Sequence, residues 1–190
     1  MGQEIERKFL IWENGNNYET KAFRSWYASM GGDTSRDVVQ ALQGRVLRDG
    51  VPLLQGYFLQ VGGEAVRELA DLVGFENDFE PTEARLRKKG KEQFYFTLKG
   101  KGGVQRNEFE AEIPRMTFDR YWLDTQGLRV EKVRLAREYG RHTAEIDVYT
   151  DRQLIVIEVE VPTLEAAERL APLGKDVTED KAYKNKNLAR

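Results

Sequence analysis

Charged residues in this chain recur at every second position, and they are sorted by sign. Glu4-Ile5-Glu6 opens the pattern and Lys8 continues it. Residues at i, i+2 and i+4 of a strand share one face, so Glu4, Glu6 and Lys8 project from one side, with Ile5, Arg7 and Phe9 on the other. Arg85, Arg87 and Lys89 alternate with apolar Leu86, and Thr97, Lys99 and Lys101 oppose Phe96 and Leu98. Arg106, Glu108, Glu110 and Glu112 oppose Phe109, Ala111 and Ile113. Lys132 and Arg134 alternate with Val133 and Leu135, Glu145 and Asp147 with Ile146 and Val148, and Glu158 and Glu160 with Ile157, Val159 and Val161. A period of two sustained over so many segments constrains the chain to a sheet whose strands have one apolar and one charged face.

An antiparallel sheet with one wet face produces the same alternation, and periodicity alone does not say which face is interior. Two features shift the balance. These faces are almost purely charged, with little of the Thr, Ser, Asn and Gln that dilutes a solvent face, and they are sorted strand by strand. Like charges side by side repel. A ligand carrying both signs, such as a metal–phosphate complex, accounts for the sorting better than open solvent does.

The strands are expected at residues 3–12, 55–61, 83–89, 93–101, 106–113, 128–138, 143–149 and 153–161. Helices are expected at 20–30, at 36–48 with Ser35 as N-cap, at 64–73, at 118–126 after Thr117, from Thr163 to about Leu173, and in the tail at 180–189. Short Gly-containing connections join several strands. The fold class is therefore α+β, built on a closed or strongly curved antiparallel sheet. At 190 residues the chain suits a single domain over 1–190, with helical elaborations at about 19–50 and 62–81.

Composition narrows the chemistry. Charged residues make up 33%, yet the net charge is −2, so no general basic bias calls for a nucleic-acid partner. There is no cysteine and one histidine, His142, which reads as a turn residue after Gly140-Arg141. A thiolate site and a histidine-rich zinc site are excluded. A metal would have to be held by carboxylates, which favours Mg²⁺ or Mn²⁺. No signal peptide or long apolar run is evident, so a cytoplasmic protein with no membrane partner is expected.

The same residues carry a resemblance. Glu4-Ile-Glu-Arg-Lys8 resembles the ExExK signature that opens the CYTH domain of the triphosphate tunnel metalloenzymes. Gln55-Gly-Tyr-Phe-Leu59, Arg85-Leu-Arg87, Phe96-Thr-Leu-Lys-Gly100, Arg106-x-Glu108-x-Glu110, Val130-Glu-Lys-x-Arg134, Glu145-x-Asp147 and Ile157-Glu-Val-Glu160 follow in that family's order. The tail from Val177 to Lys186 resembles the bacterial subgroup of inorganic triphosphatases. The resemblance implies a closed eight-stranded antiparallel β-barrel with flanking helices, its charged faces turned into a tunnel. It also implies a small-molecule triphosphate substrate and dependence on a divalent metal. Lys8, Arg85, Arg87, Lys99, Arg106, Lys132 and Arg134 are expected on phosphate, because Arg and Lys from several directions match a polyanion. Glu4, Glu6, Glu158 and Glu160 are the expected metal ligands. Glu108, Glu110 and Asp147 are candidates for a second metal or for holding the cations in place. Lys132 and the tail residues Lys181 and Lys184 are catalytic candidates. The two elaborations could cover a tunnel mouth or make the contact of a homodimer. Thiamine or nucleoside triphosphate hydrolysis, an adenylyl cyclase and a non-catalytic polyphosphate-binding module are the competing readings. A cyclase would need a purine pocket for which the sequence shows no signal.

Overall fold

The computed structural model describes every residue except Met1, Arg36, Asn77 and Arg190. Among the described residues ten strands and six α-helices follow one another: β1 (Gly2–Glu13), β2 (Asn16–Asn17), α1 (Lys21–Ser29), α2 (Val38–Asp49), β3 (Val51–Tyr57), α3 (Glu64–Leu72), β4 (Pro81–Lys89), β5 (Gln93–Gly100), β6 (Gln105–Glu112), α4 (Arg115–Tyr121), β7 (Arg129–Tyr139), β8 (His142–Tyr149), β9 (Leu154–Glu160), α5 (Leu164–Arg169), β10 (Lys175–Asp176) and α6 (Asn185–Leu188). The hydrogen-bonded order is β10-β1-β6-β5-β4-β3-β7-β8-β9, and a further β1–β9 pairing closes it into a ring of eight strands. The expected class is what forms: an α+β chain on a closed antiparallel barrel with flanking helices. Contact density divides the chain into two compact units. The first comprises Met1–Glu4, Leu53–Glu131 and Asp180–Arg190, and the second Ile5–Pro52 and Lys132–Glu179.

In the first unit, β3 pairs β4, β4 pairs β5 and β5 pairs β6. Their apolar faces make the core that period two predicts. Leu86, Phe96 and Leu98, each 1% exposed or less, pack with Phe58, Val66, Leu69, Phe75, Phe94 and Phe118, so α3 and α4 cover this side of the sheet. Burying an aliphatic or aromatic side chain of this kind is worth about 1.5–3 kcal/mol, and the same burial leaves the charged face on the opposite side. Glu68 of α3 accepts from Tyr121 Oη of α4, which pins the two helices together.

In the second unit, β1 pairs β9, β9 pairs β8 and β8 pairs β7. Phe23, Trp26 and Tyr27 of α1 and Val38, Val39, Leu42 and Val46 of α2 are buried. The indole N–H of Trp26 donates to the Glu138 carbonyl at 2.7 Å, fastening α1 to β7. The first helical elaboration is thus a packed layer of the second unit. Arg7 breaks the alternation on the apolar face of β1 and has a structural task. Its guanidinium donates to the Ala167 carbonyl at 2.8 Å and pairs with Asp176, tying the regions of α5 and β10 to β1.

Several boundaries differ from those expected. β3 runs over Val51–Tyr57 rather than 55–61, because Gly50 ends α2 and the chain enters the sheet at once; Leu59 lies outside the strand, 78% exposed. Asp37, not Ser35, caps α2: its carboxylate accepts from Val39 and Gln40 N–H, while Ser35 bonds to Asp33. The expected first residue of that helix, Arg36, lies outside the described residues. α4 starts at Arg115 rather than 118, with Pro114 in the N-cap position, and passes into a 3-10 turn at Trp122–Thr125. α5 stops at Arg169 rather than near Leu173, since Pro172 disfavours helical backbone at the residue before it. The tail is a 3-10 turn at Lys181–Tyr183 followed by the short α6, not one helix. Two-residue β10 was not anticipated; it pairs with Phe9 and Leu10 of β1.

Candidate functional site

In the first unit the register sets charged residues in rows across the strands. Tyr57, Arg85, Thr97 and Glu110 form one row, and Glu83, Lys99 and Glu108 form the next. Arg85 and Lys99 are 5% and 4% exposed, buried far more than cations on an open face would be. Lys99 Nζ lies 2.9 Å from Glu4 Oε2 and 2.5 Å from Glu108 Oε2. Arg106 Nε donates to Glu4 at 2.8 Å. Glu110 takes Arg87 at 2.5 Å and Arg85 at 3.4 Å. Arg85, Arg87, Lys99 and Arg106 therefore stand on the charged face with Glu4, Glu108 and Glu110 as counterions. Burial opposes ionisation of Glu4, but Lys99 and Arg106 outweigh it and hold the carboxyl at about 2. Glu108 goes the other way: burial pushes its pKa up, and nearby Glu4 adds to the rise against the pull of Lys99.

In the second unit Glu6 stands opposite Glu160, and Lys8 opposite Glu158. Lys8 Nζ lies 2.6 Å from Glu158 Oε1, and Arg134 Nη2 lies 2.6 Å from Glu158 Oε2. Arg134 also reaches Asp147 through two bonds of 2.6 Å and pairs with Glu145. Asp147 holds Lys132 Nζ at 2.5 Å, and both side chains are withdrawn from water. Burial would neutralise Glu158, yet Lys8, Lys132 and Arg134 keep its pKa well below the usual carboxylate range. Lys132 is pushed down, by burial first and by Arg134 second, despite its bond to Asp147. Lys8 is pushed up: burial disfavours its charge, but Glu158 and Glu6 prevail.

The strand-by-strand sorting of charge has a local cause here. A cationic strand lies next to an acidic one, β5 beside β6 and β7 beside β8, so the rows neutralise each other across the ladder. Glu110 and Asp147 each hold two cations. Glu4 gathers Lys99 and Arg106 in the first unit; Glu6, Glu158 and Glu160 belong to the second. Among the described residues no group of three or more His, Asp or Glu side chains forms a metal cage. Glu6 and Glu160, facing each other on adjacent strands, do fit a hard cation that takes few protein oxygens and completes its shell with water and phosphate.

Three residues on this face carry no site role in the sequence reading. Gln55 and Tyr57 are each 1% exposed, with the Tyr57 hydroxyl 3.3 Å from Gln55 Oε1. Thr97 is fully buried between Arg85 and Glu110. Their signal was position, since they occupy the charged-face phase of β3 and β5. In the tail, Lys184 Nζ donates to the Gly102 carbonyl and Lys186 Nζ to that of Thr82, both at 3.2 Å, while Lys181 is exposed. His142 opens β8 opposite Tyr139, at the hairpin where a turn residue was expected. No helix among the described residues is long and apolar enough to cross a membrane.

The comparisons with known proteins agree with this geometry. Over 113 residues, 56% of this chain and 74% of the other, the sequence is 41% identical to the inorganic triphosphatase of Nitrosomonas europaea. The chain belongs to the triphosphate tunnel metalloenzyme family. A crystal structure of an inorganic triphosphatase aligns with this family member over 100% of its length and 95% of the other chain, at 29% identity and a TM-score of 0.53. Another solved structure, of a protein described as hypothetical, covers 98% and 97% at 30% identity and a TM-score of 0.52. No family model matches the tunnel-enzyme chain.

Proposed function

We propose that this chain hydrolyses inorganic triphosphate to diphosphate and phosphate in a reaction that depends on Mg²⁺ or Mn²⁺. The observation that carries the reading is the set of arginines and lysines on the charged strand faces, several of them buried and each paired with a carboxylate on another strand, in a chain 41% identical to a named inorganic triphosphatase. Guanidinium and ammonium groups fixed in advance need no reorganisation to meet a polyphosphate, and phosphoryl transfer relies mainly on such positioning and charge neutralisation. Lys8, Arg85, Arg87, Lys99, Arg106 and Arg134 are assigned to phosphate. In the second unit Glu6 and Glu160 are assigned to the metal, with Glu158 as a further ligand; in the first unit Glu4 remains a candidate metal ligand. In the second unit Lys8, Lys132 and Arg134 face Glu6, Glu145, Asp147, Glu158 and Glu160, an acidic excess that suits a cation. A bound divalent ion would supply charge neutralisation at the phosphoryl oxygens. Lys132 retains a catalytic assignment through its field beside Arg134, as do Lys181 and Lys184 through the tail.

Phosphate release from inorganic triphosphate, ATP and thiamine triphosphate, with Mg²⁺, with Mn²⁺ and after EDTA treatment, tests the reading. Triphosphate should have the highest kcat/KM, and EDTA should abolish turnover. Cyclic AMP formed from ATP while triphosphate stays intact would replace this function with a cyclase. Full activity after exhaustive EDTA treatment would remove the metal.

A further inference from the structure

Arg85 and Glu110 lie in one cross-strand row with Thr97 between them. Their direct contact is long, 3.4 Å from Arg85 Nη2 to Glu110 Oε2. The Thr97 hydroxyl closes that gap, accepting from Arg85 Nη2 at 3.2 Å and donating to Glu110 Oε2 at 2.8 Å. Glu110 is anchored on its other oxygen by Arg87 at 2.5 Å. Thr97 is 0% exposed and Arg85 is 5% exposed, so water cannot take over the bridge cheaply. With Nη2 committed in this way, Arg85 Nε is buried and meets no acceptor among the described residues. A buried donor without an acceptor costs free energy unless a ligand satisfies it.

We propose that Thr97 is a positioning residue for substrate: its hydroxyl locks the Arg85 guanidinium onto Glu110 and keeps the Arg85 Nε donor in place for an oxygen of the bound triphosphate. This deepens the triphosphatase reading and rests on it for the identity of the anion. A valine would fill the same space and suit a strand equally well, but the bridge would be gone. Arg85 would keep only the 3.4 Å contact to Glu110 and could rotate away from the pose that binds phosphate. Because the lost contact serves binding in the ground state and the transition state alike, the change should appear in KM.

The test uses the full chain with T97V, T97A and T97S. It measures kcat and KM for inorganic triphosphate with Mg²⁺, tripolyphosphate affinity by calorimetry in EDTA, and thermal melting. T97V and T97A should raise KM and the tripolyphosphate Kd about tenfold, the worth of a hydrogen bond to a charged group, while kcat changes less than about twofold. T97S should stay within about twofold of the parent in every value, since it keeps the hydroxyl. T97A and T97S both lack the methyl group, so their ratio isolates the hydroxyl even if T97V fails to fold. Equal KM for T97A and T97S, or a loss confined to melting temperature, would overturn the proposal. If the parent binds tripolyphosphate without hydrolysing it and T97A weakens that binding, the positioning role stands and the triphosphatase reading falls. If the parent hydrolyses triphosphate and T97A leaves KM and Kd unchanged, only the positioning role falls.

Discussion

Asp147→Asn isolates the buried clamp of the second unit. Asp147 is 0% exposed and Lys132 1%. Asp147 Oδ2 receives Lys132 Nζ at 2.5 Å and Arg134 Nη2 at 2.6 Å, and Oδ1 receives Arg134 Nε at 2.6 Å. Asparagine has nearly the same volume, so no cavity opens; the change removes charge and turns one acceptor into a donor facing a cation. Stripping one partner from a buried ion pair costs about 3–5 kcal/mol. At roughly 2–4 °C per kcal/mol for a chain of this size, the midpoint should fall by about 6–20 °C. Lys132 is already pushed below its ordinary pKa by burial and Arg134, so in the variant the unfolded state binds the extra proton more readily. The deficit should then shrink as pH rises from the lysine pKa of the folded variant to that of the folded parent, and stay constant above it. Thermal and urea unfolding in EDTA measure it, and Lys132→Met in the Asp147→Asn background should recover part of the loss. A variant that melts within about 2 °C of the parent in EDTA, far below the loss expected from a broken buried pair, would refute the clamp. A deficit appearing only when Mg²⁺ is added would make Asp147 a metal ligand instead.

Two further outcomes are expected. Glu4 is held at about 2 against an ordinary 4.5, because Lys99 and Arg106 overcome its burial. Its folded pKa is depressed, so its contribution, on the order of 3 kcal/mol, is complete above about pH 4.5 and is lost as pH falls toward about 2. Urea midpoints across that window should show a limb that Glu4→Gln flattens, and an unchanged limb would contradict the pairing. Deleting residues 179–190 should lower kcat about tenfold or more while the barrel stays folded, if the tail positions substrate. Lys184, whose ammonium reaches the Gly102 carbonyl, should account for more of that loss than exposed Lys181 when each is changed to Ala. A truncation that melts early beside point variants with normal kcat would make the tail a structural cover, a role that buried Tyr183 could serve.

What was legible in the sequence was what a period of two encodes. Leu86, Phe96 and Leu98 had to share a face, and they share it beneath α3 and α4. The limits of the elements were less legible, because tertiary pairing decides them. The Gly56-Tyr57-Phe58-Leu59 run has strand composition throughout, but the pairing of β3 with β4 ends at Tyr57 and Arg85, with one further bond from Phe58 N–H to the Ala84 carbonyl, and Leu59 is left in solvent. Pro114 and Pro172 did carry the true start of α4 and the true stop of α5.

The pairing of the charges was not legible at all. Lys99 meets Glu4 across 95 positions of chain, and Arg134 meets Glu158 across 24. Register alone brings them together. This changes the weight of the sequence argument. In the sequence, sorting by strand favours a ligand of both signs, but adjacent antiparallel strands of opposite charge neutralise each other without one. The stronger reason to expect a ligand is burial. Arg85, Lys99, Lys8 and Lys132 each give up water to stand on the charged face, and surface ion pairs worth about 0–1 kcal/mol would not explain that placement. Buried pairs are often no more stabilising than apolar residues of the same volume. Stability alone is therefore a weak reason for keeping this many of them, and the phosphate assignment proposed above rests on burial rather than on the sorting of charge.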